Sequence, residues 1–521
     1  MKKTFVGYKI LFFMFLIVGC SKDDTSTPPT PEPESFAVSI SATSRSAAEP
    51  GTNGQFTIAL NKAISSDVTI DYIITGTATN GTDYETVATS VNIPANTASV
   101  TIPVVVLSDF EVEETETVII TLTASSSSNV KISTSNTATV TIEDEPESMS
   151  FLPSEAASYM TNPNSTEETV ALFYNLKILS ETSIVVGQQD AFSVFYNDQI
   201  GDSDIKKTTG SDPGLLGSDF IFITDNQNDG TSTNWFYQQE QMVIEDVIEA
   251  YDKGMINTFA WHFREPYDGE HFYAEDMTQF QRENAFKSIL PGGANHDYYL
   301  EKLDKVVEVA GNLIGTDGKL IPFIFRPFHE FDGSWFWWGA AYCTPEEFKT
   351  LWQFTVEYLR DTKGVNNILF AFSPDNSYST EAGYLSRYPG DNYVDILGMD
   401  NYGDFNNQGQ TGVNNANNKL EIISNLAKER RKIAALTETG YFVTPGQNNA
   451  IPDFYAENMY NAITNNDVEL GFLMFWNNYG DTYCTPPPSE STAAQDFNTF
   501  VEKPGILLQD EIPNMYILPS D

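Results

Sequence analysis

Between Phe36 and Glu145 apolar and polar residues alternate with period two. The alternation runs through Gln55–Leu60, Val68–Ile73, Ser99–Val106 and Val118–Thr123, with a last run at Ala138–Ile142. Successive side chains on a strand point to opposite faces, so each run predicts a half-buried strand. Turn residues, such as Pro50-Gly-Thr-Asn-Gly54 and Asn80-Gly81, separate the runs. Short strands at this spacing predict an all-β sandwich. From Phe151 the pattern changes to continuous apolar runs. The strand candidates there are Ser183–Gln188, Asp219–Thr224, Ile256–His262, Ile321–Arg326, Asn367–Ser373, Val394–Met399, Ile433–Glu438 and Leu470–Trp476. Each is apolar enough to be buried on both faces, as parallel strands are. Helical spacing appears between them, at Gln238–Lys253, Asp297–Ala310, Pro345–Thr362, Lys419–Arg431, Asp453–Thr464 and Ser491–Val501. Thr344 and Pro345 read as the N-cap and first turn of the third of these. Eight β-then-α units predict an α/β (β/α)8 TIM barrel at residues 146–521, preceded by the sandwich at residues 36–145. An open doubly wound sheet is the alternative. It is weakened by Val186-Gly-Gln-Gln-Asp190, which stands where a Gly-rich phosphate loop would be.

Composition narrows the function. A formal charge of −44 speaks against nucleic acid and against anionic lipid surfaces. All seven tryptophans lie at or after Trp235 and all four histidines at or after His262. Groups suited to stacking and proton transfer therefore sit in the barrel portion.

The first residues form a targeting segment, with Lys2, Lys3 and Lys9 before an apolar run at Ile10–Gly19. The run is too short for a comfortable membrane span. Ile17-Val-Gly-Cys20 resembles a bacterial lipobox, which implies a signal peptide at residues 1–19 and a lipidated Cys20. Ser21-Lys-Asp-Asp24 resembles the export signal of Bacteroidetes surface lipoproteins. The resemblance implies a lipid-anchored protein of the cell outer membrane, facing the exterior. The stretch at 26–35, with Pro28, Pro29, Pro31 and Pro33, reads as a semi-rigid linker within residues 20–35.

The candidate chemistry gathers at predicted strand ends, where barrel active sites lie. Strand three ends in Trp261-His262 and strand four runs into His329-Glu330. Strand six ends before Asp400-Asn-Tyr402, strand seven in Glu438 and strand eight in Trp476-Asn-Asn478. Arg326, Asp332, Trp335, Trp337 and Trp338 crowd the same junction as Glu330. Strands four and seven face each other across the mouth. Glu330 and Glu438 can thus form the carboxyl pair of a glycosidase, about 5 Å apart for a retaining double displacement. No second His follows His329-Glu330 at zinc-protease spacing, and no metal is expected in this part. Trp335 is expected to stack on a sugar, and at least one of Trp337 and Trp338 to be rim packing. Asp332 and Asp400 are expected behind the catalysts or on substrate hydroxyls. His271 and His296 read as surface residues and Trp352 as core. Trp235-Phe-Tyr237 reads as either a sugar-binding rim or packing. Cys343 and Cys484 are expected as two free, partly buried thiols rather than a bridge.

Two resemblances sharpen this. Thr69–Thr79, Gly81-Thr-Asp-Tyr84, Asp109–Glu116 and Val140-Thr-Ile-Glu-Asp144 resemble a Calx-beta domain. The acidic clusters of such domains can bind Ca²⁺, here at Glu49, Asp83, Asp109, Glu143 and Asp144; solvated turn acids are the equal alternative. Residues from about 165 to 504 resemble glycoside hydrolase family 26, most of whose members are β-1,4-mannanases. The resemblance rests on Phe325-Arg-Pro-Phe-His-Glu330, Gly333-Ser-Trp-Phe-Trp-Trp-Gly339, Tyr342-Cys-Thr-Pro345, Met399-Asp-Asn-Tyr402, Thr437-Glu-Thr439 and Phe475-Trp-Asn477. It implies Glu330 as acid/base, Glu438 as nucleophile and His329 as the residue positioning the nucleophile. Tyr402 would hydrogen-bond the nucleophile, Trp335 and Trp476 would stack on sugars, and His262 would contact the sugar on the non-reducing side. Asp400 and Asn477 join the expected substrate contacts. The implied activity is endo-β-1,4-mannan hydrolysis by a monomer that needs no cofactor. Relatives of the fold act on β-1,3-xylan or mixed-linkage β-glucan, and a surface glycan-binding protein is the non-enzymatic alternative. After His262 the chain reads Phe263-Arg-Glu-Pro-Tyr267 where many members have a Met-Asn-Asn-like continuation, which leaves endo versus exo action open.

Overall fold

A computed structural model describes residues 35–48, 52–107, 115–143, 151–406, 408–445 and 451–520. The targeting segment, Cys20 and the linker lie outside the described residues, as do Glu49, Asp109 and Asp144. The chain divides into two compact units, residues 1–150 and 151–521.

The first unit contains β1 Phe36–Ser44, β2 Ser46–Ala48, β3 Gly54–Leu60, β4 Val68–Gly76 and β5 Ser90–Ile93. They are followed by β6 Ser99–Val104, β7 Glu116–Ser125, β8 Val130–Ile132 and β9 Thr137–Glu143. One sheet has the order β6-β3-β1-β8 and the other β2-β9-β7-β4-β5. The alternation does what it predicts: Val38, Ile40, Phe56, Ile58, Val68, Ile70, Val118, Ile120, Val140 and Ile142 form one buried core. Gly54 is required there, because a Cβ would lie 2.5 Å from Val140 Cγ1.

The second unit holds eight parallel strands: β10 Ile184–Gln189, β11 Leu215–Asp219, β12 Ile256–Ala260, β13 Phe323–Arg326, β14 Ile368–Phe372, β15 Ile396–Asn401, β16 Ile433–Thr439 and β17 Phe472–Phe475. Each pairs with the next, and β10 pairs with both β11 and β17, so the barrel closes. Helices pack between the strands. The one at Pro345–Glu357 starts with a reciprocal Thr344–Glu347 capping box and Pro at its first turn.

The second strand departs from expectation. It occupies Leu215–Asp219, and the apolar run that follows is a turn. Phe220 and Ile223 are buried three positions apart, Thr224 N donates to Phe220 O, and Ile221 N donates to Asp219 Oδ1. An apolar run alone does not distinguish a strand from such a turn. The helix expected from Gln238 therefore begins at Trp235, with Asn234 as its N-cap. The sixth strand extends to Asn401, and the helix expected from Lys419 begins at Gly409. Helices at Glu167–Leu179 and Gln279–Ile289 were not anticipated. Both have weakly segregated apolar faces, so periodicity gave little signal.

Candidate active site

Glu330 stands just past β13, and the chain reaches it through a contorted backbone. Phe328 has φ 55° and Glu330 φ 53°, both in the left-handed region. For side-chain-bearing residues this costs about 1–2 kcal/mol each. Glu330 N donates to Ser373 O at 2.8 Å, which ties the contortion to β14. Strain held by the surroundings is typical of functional loops.

Glu438 sits inside β16 and is buried. Oxygens of Glu330, Glu438 and Asp400 lie within 4.8 Å of one another. Arg326, the last residue of β13, donates to Glu438 Oε1 and to both oxygens of Asp400, at 3.1 and 3.3 Å. Tyr402 Oη donates to Glu438 Oε2 at 3.0 Å, and Thr437 Oγ1 donates to Asp400 Oδ1 at 2.6 Å. Both oxygens of Glu438 are thus held by donors. Three converging carboxylates resemble a hard-cation site, but the guanidinium already supplies the positive charge between two of them.

Around Glu330 the surroundings are different. Its direct side-chain partner is Trp335, whose indole N–H donates to Oε2. Burial, then the charges of Glu438 and Asp375, raise its pKa to about 8; the indole N–H pulls the other way. Its carboxyl therefore holds a proton at neutral pH. Trp335 is 37% exposed, and its ring rests on Gly333, where a Cβ would lie 2.4 Å from the indole. Trp337 and Trp338 are fully buried, donating to Phe263 O and His329 O at 2.8 Å each. Both are scaffolding.

His262 follows β12 and faces Asp219, the last residue of β11. Its backbone N–H donates to Asp219 Oδ1 at 3.1 Å, and its Nδ1 bonds Asp219 Oδ2. Burial pushes the imidazole down, but Asp219, reinforced by Glu438 and Glu330, outweighs it, and the net shift is upward. His329 lies against it, with ring centroids 4.6 Å apart. Burial, then the charges of His262 and Arg326, hold His329 well below the usual histidine range. One imidazole is thus favoured as a cation and its neighbour as neutral. Trp476 lies 6.1 Å from His262, ring to ring, and Asn477 Nδ2 donates to Asp190 Oδ2 at 2.9 Å. Asp190 follows β10 directly, and burial, offset by Asn477 and reinforced by Asp219, raises its pKa to about 7.

Several expectations change. His329 makes no hydrogen bond to Glu438 among the described residues; its Nδ1 is buried without a partner. Arg326 and Tyr402 do the positioning instead. Asp400 has no exposed surface and lies behind Glu438, so it braces Arg326 rather than touching substrate. Asp332 accepts from Asp375 N and Ser377 Oγ, which shapes the loop after β14. Cys343 and Cys484 are free thiols, and both are buried rather than partly so. His296 is half-buried, its Nδ1 on Ile289 O. Trp352 is core and Trp235 is half exposed at a helix start. Of the acids expected in the sandwich, Asp83 is buried and accepts from Thr79 N, while Glu143 is exposed. Asp219 and Asp190 were missed. The apolar pattern places Asp219 at the start of a strand, and the structure places it at the end of β11.

The chain is also similar to known proteins. Residues 161–479, more than half the chain, match the family model described as glycosyl hydrolase family 26, and residues 34–146 match the Calx-beta domain. The solved structure of GH26C from Muricauda sp. MAR_2010_75 is 64% identical, with a TM-score of 0.70 over 71% of this chain and 99% of that one. A GH26 β-mannanase from Bacteroides ovatus is 32% identical, with a TM-score of 0.59 over 68% of this chain and 98% of that one. A mannan endo-1,4-beta-mannosidase of Bifidobacterium adolescentis is 33% identical over 332 residues, 62% of this chain. The match spans only 32% of the length of that relative.

Proposed function

The chain belongs to glycosyl hydrolase family 26, and from that premise we propose that it is a retaining endo-β-1,4-mannanase. The observation that carries the reading is the spacing of Glu330 and Glu438, whose oxygens approach within 4.8 Å. Retaining enzymes hold their carboxyls about 5 Å apart, whereas inverting ones leave room for a water. A Glu438 oxygen attacks the anomeric carbon as Glu330 gives its proton to the departing glycosidic oxygen. The indole of Trp335 donates to Oε2 of Glu330, which leaves Oε1 to carry that proton. Water then attacks the glycosyl–Glu438 ester, and Glu330 takes the water's proton back. Arg326 and Tyr402 fix the nucleophile, and His262, held by Asp219, offers its ring to the sugar on the non-reducing side. Mannan as substrate is supported by the relatives named above that act on it.

The same proposal extends to the rest of the chain. A lipid on Cys20 would anchor the protein to the outer membrane, facing outward, so that polysaccharide is cut before uptake. The apolar run ending at Cys20 supports this, and loss of fatty-acid labelling in Cys20→Ser tests it. Ca²⁺ is proposed for the sandwich alone, and a melting temperature unchanged by Ca²⁺ or a chelator rejects it. The reaction needs no cofactor in this reading.

The test is product profiling of the purified protein on mannan, galactomannan, β-1,3-xylan and mixed-linkage β-glucan. Mannan should yield oligosaccharides of several lengths. Turnover of only the xylan or the glucan would overturn the assignment.

A further inference from the structure

Tyr273 is 42% exposed, an unusual position for a large ring held this firmly. It lies in the long connection between β12 and β13. Its backbone forms an antiparallel bridge with Phe336, flanked by Ala274 N to Trp335 O at 2.6 Å and Trp337 N to Phe272 O at 3.4 Å. The segment around Tyr273 is therefore laid alongside the Trp335–Trp337 segment that follows the acid. The Tyr273 ring stacks on Phe336 at 5.4 Å and 20°. Phe336 in turn packs against His329 at 5.2 Å and His262 at 5.4 Å. Tyr273 rests on Phe336 and against Phe272, 4.5 Å ring to ring, and still keeps 42% of its surface exposed.

The connection is braced on both sides. Glu265 accepts the backbone N–H groups of Tyr267, Asp268 and Gly269, and Arg264 pairs with Asp225. Beyond Tyr273, Arg282 donates to Ala274 O and Met277 O, at 3.0 and 2.6 Å. A ring fixed in advance loses little freedom when a ligand stacks on it. The Tyr273 hydroxyl has no protein partner among the described hydrogen bonds. Partial burial, then the charges of Glu330 and Glu438, raise its pKa, so the phenol lies within electrostatic reach of both carboxylates.

We infer that Tyr273 is a substrate-contacting specificity residue, stacking on a hexose of the departing portion of the chain beside Trp335. The placement follows from the pairing of Tyr273 with Phe336, the residue next to Trp335, because Trp335 bonds the carboxyl that protonates the departing oxygen. The inference rests on the proposed hydrolysis of mannan, and wild-type turnover of mannan checks that premise first. If the wild type leaves mannan intact, the proposed function fails before any variant is compared.

The test measures kcat/KM for wild type, Tyr273→Ala and Tyr273→Phe on a mannooligosaccharide and on a nitrophenyl β-mannobioside. The aryl substrate has no sugar on the departing side. In Tyr273→Ala the ratio of oligosaccharide to aryl kcat/KM should fall about tenfold, the scale of one aromatic–sugar stack. Tyr273→Phe should keep the ratio within about twofold of wild type, because the ring face is retained. Equal losses on both substrates would place Tyr273 on the other side of the bond and overturn the inference. So would an unchanged ratio in Tyr273→Ala, or a Phe variant as poor as Ala. Should Tyr273→Ala melt early, Tyr273→Leu keeps the apolar contact with Phe336 without an aromatic face, and the same ratio decides.

Discussion

Glu330 and Glu438, the two glutamates proposed as catalysts, are set in opposite kinds of surroundings. Glu438 lies within a strand and accepts bonds at both oxygens from Arg326 and Tyr402, with Asp400 and Thr437 behind. Glu330 lies on a left-handed bend of a loop, beside a partly exposed indole, with no cation bonded to it among the described residues. The difference divides the labour. A carboxylate ringed by donors is fixed as an attacking group, and one deprived of cations and partly desolvated retains a proton to give. Two groups of one chemical type acquire two roles from what surrounds them.

Removing the glutamates tests that division with the largest effects. Glu438→Ala should lower kcat on mannan by about 10⁴-fold or more, since no group replaces the nucleophile. Glu330→Ala should lower it by about 10²–10⁴-fold, yet lose far less on an aryl mannoside whose leaving group needs no proton. Equal losses of Glu330→Ala on both substrates would contradict its role as acid.

Breaking the donor ring comes next. Arg326→Leu leaves Asp400 and Glu438 buried together without their cation. Chemical denaturation should show a loss of about 3–5 kcal/mol, the usual consequence of deleting one partner of a buried ionic group. An unchanged midpoint would mean that the ring does not hold the site.

The acid side is sharpened by pH. Glu330 has a pKa raised to about 8, so it is protonated below that pH and loses its proton as pH rises through it. The kcat/KM of the wild type should therefore fall on the alkaline side near pH 8. Asp375 contributes to the upward shift, so Asp375→Asn should move that limb to lower pH. Trp335 donates to the ionised form, so Trp335→Phe should move it to higher pH. The smallest effect is expected at Asp219→Asn. It should raise KM about tenfold or less, with little change in kcat, by removing the charge that orients His262 and favours its protonated form.

Much of this was legible in the sequence because the signals were local. Period-two alternation reads out the sandwich, and apolar runs ending in Glu, His and Trp read out the barrel and its mouth. What stayed hidden depends on contacts between distant strands. Arg326 stood in plain view, but its bond to Glu438 links positions 112 apart. Asp219 was concealed by Phe220-Ile-Phe-Ile223, an apolar run that folds as a turn, so the true strand end was misplaced. For Asp400 the sequence leaves a place behind the catalysts and a place on substrate hydroxyls both open, and only its burial decides for the first. Tyr273 gave no signal because its bridge partner Phe336, next to Trp335, lies far along the chain in another loop.

The central claim is that Glu330 and Glu438 stand at the separation for two displacements rather than one. Proton NMR of the first products, recorded before mutarotation, reads this directly. The account predicts that the β-anomer of the new reducing end appears first and the α-anomer grows in later. An α-anomer appearing first would mean a single inversion and would contradict it.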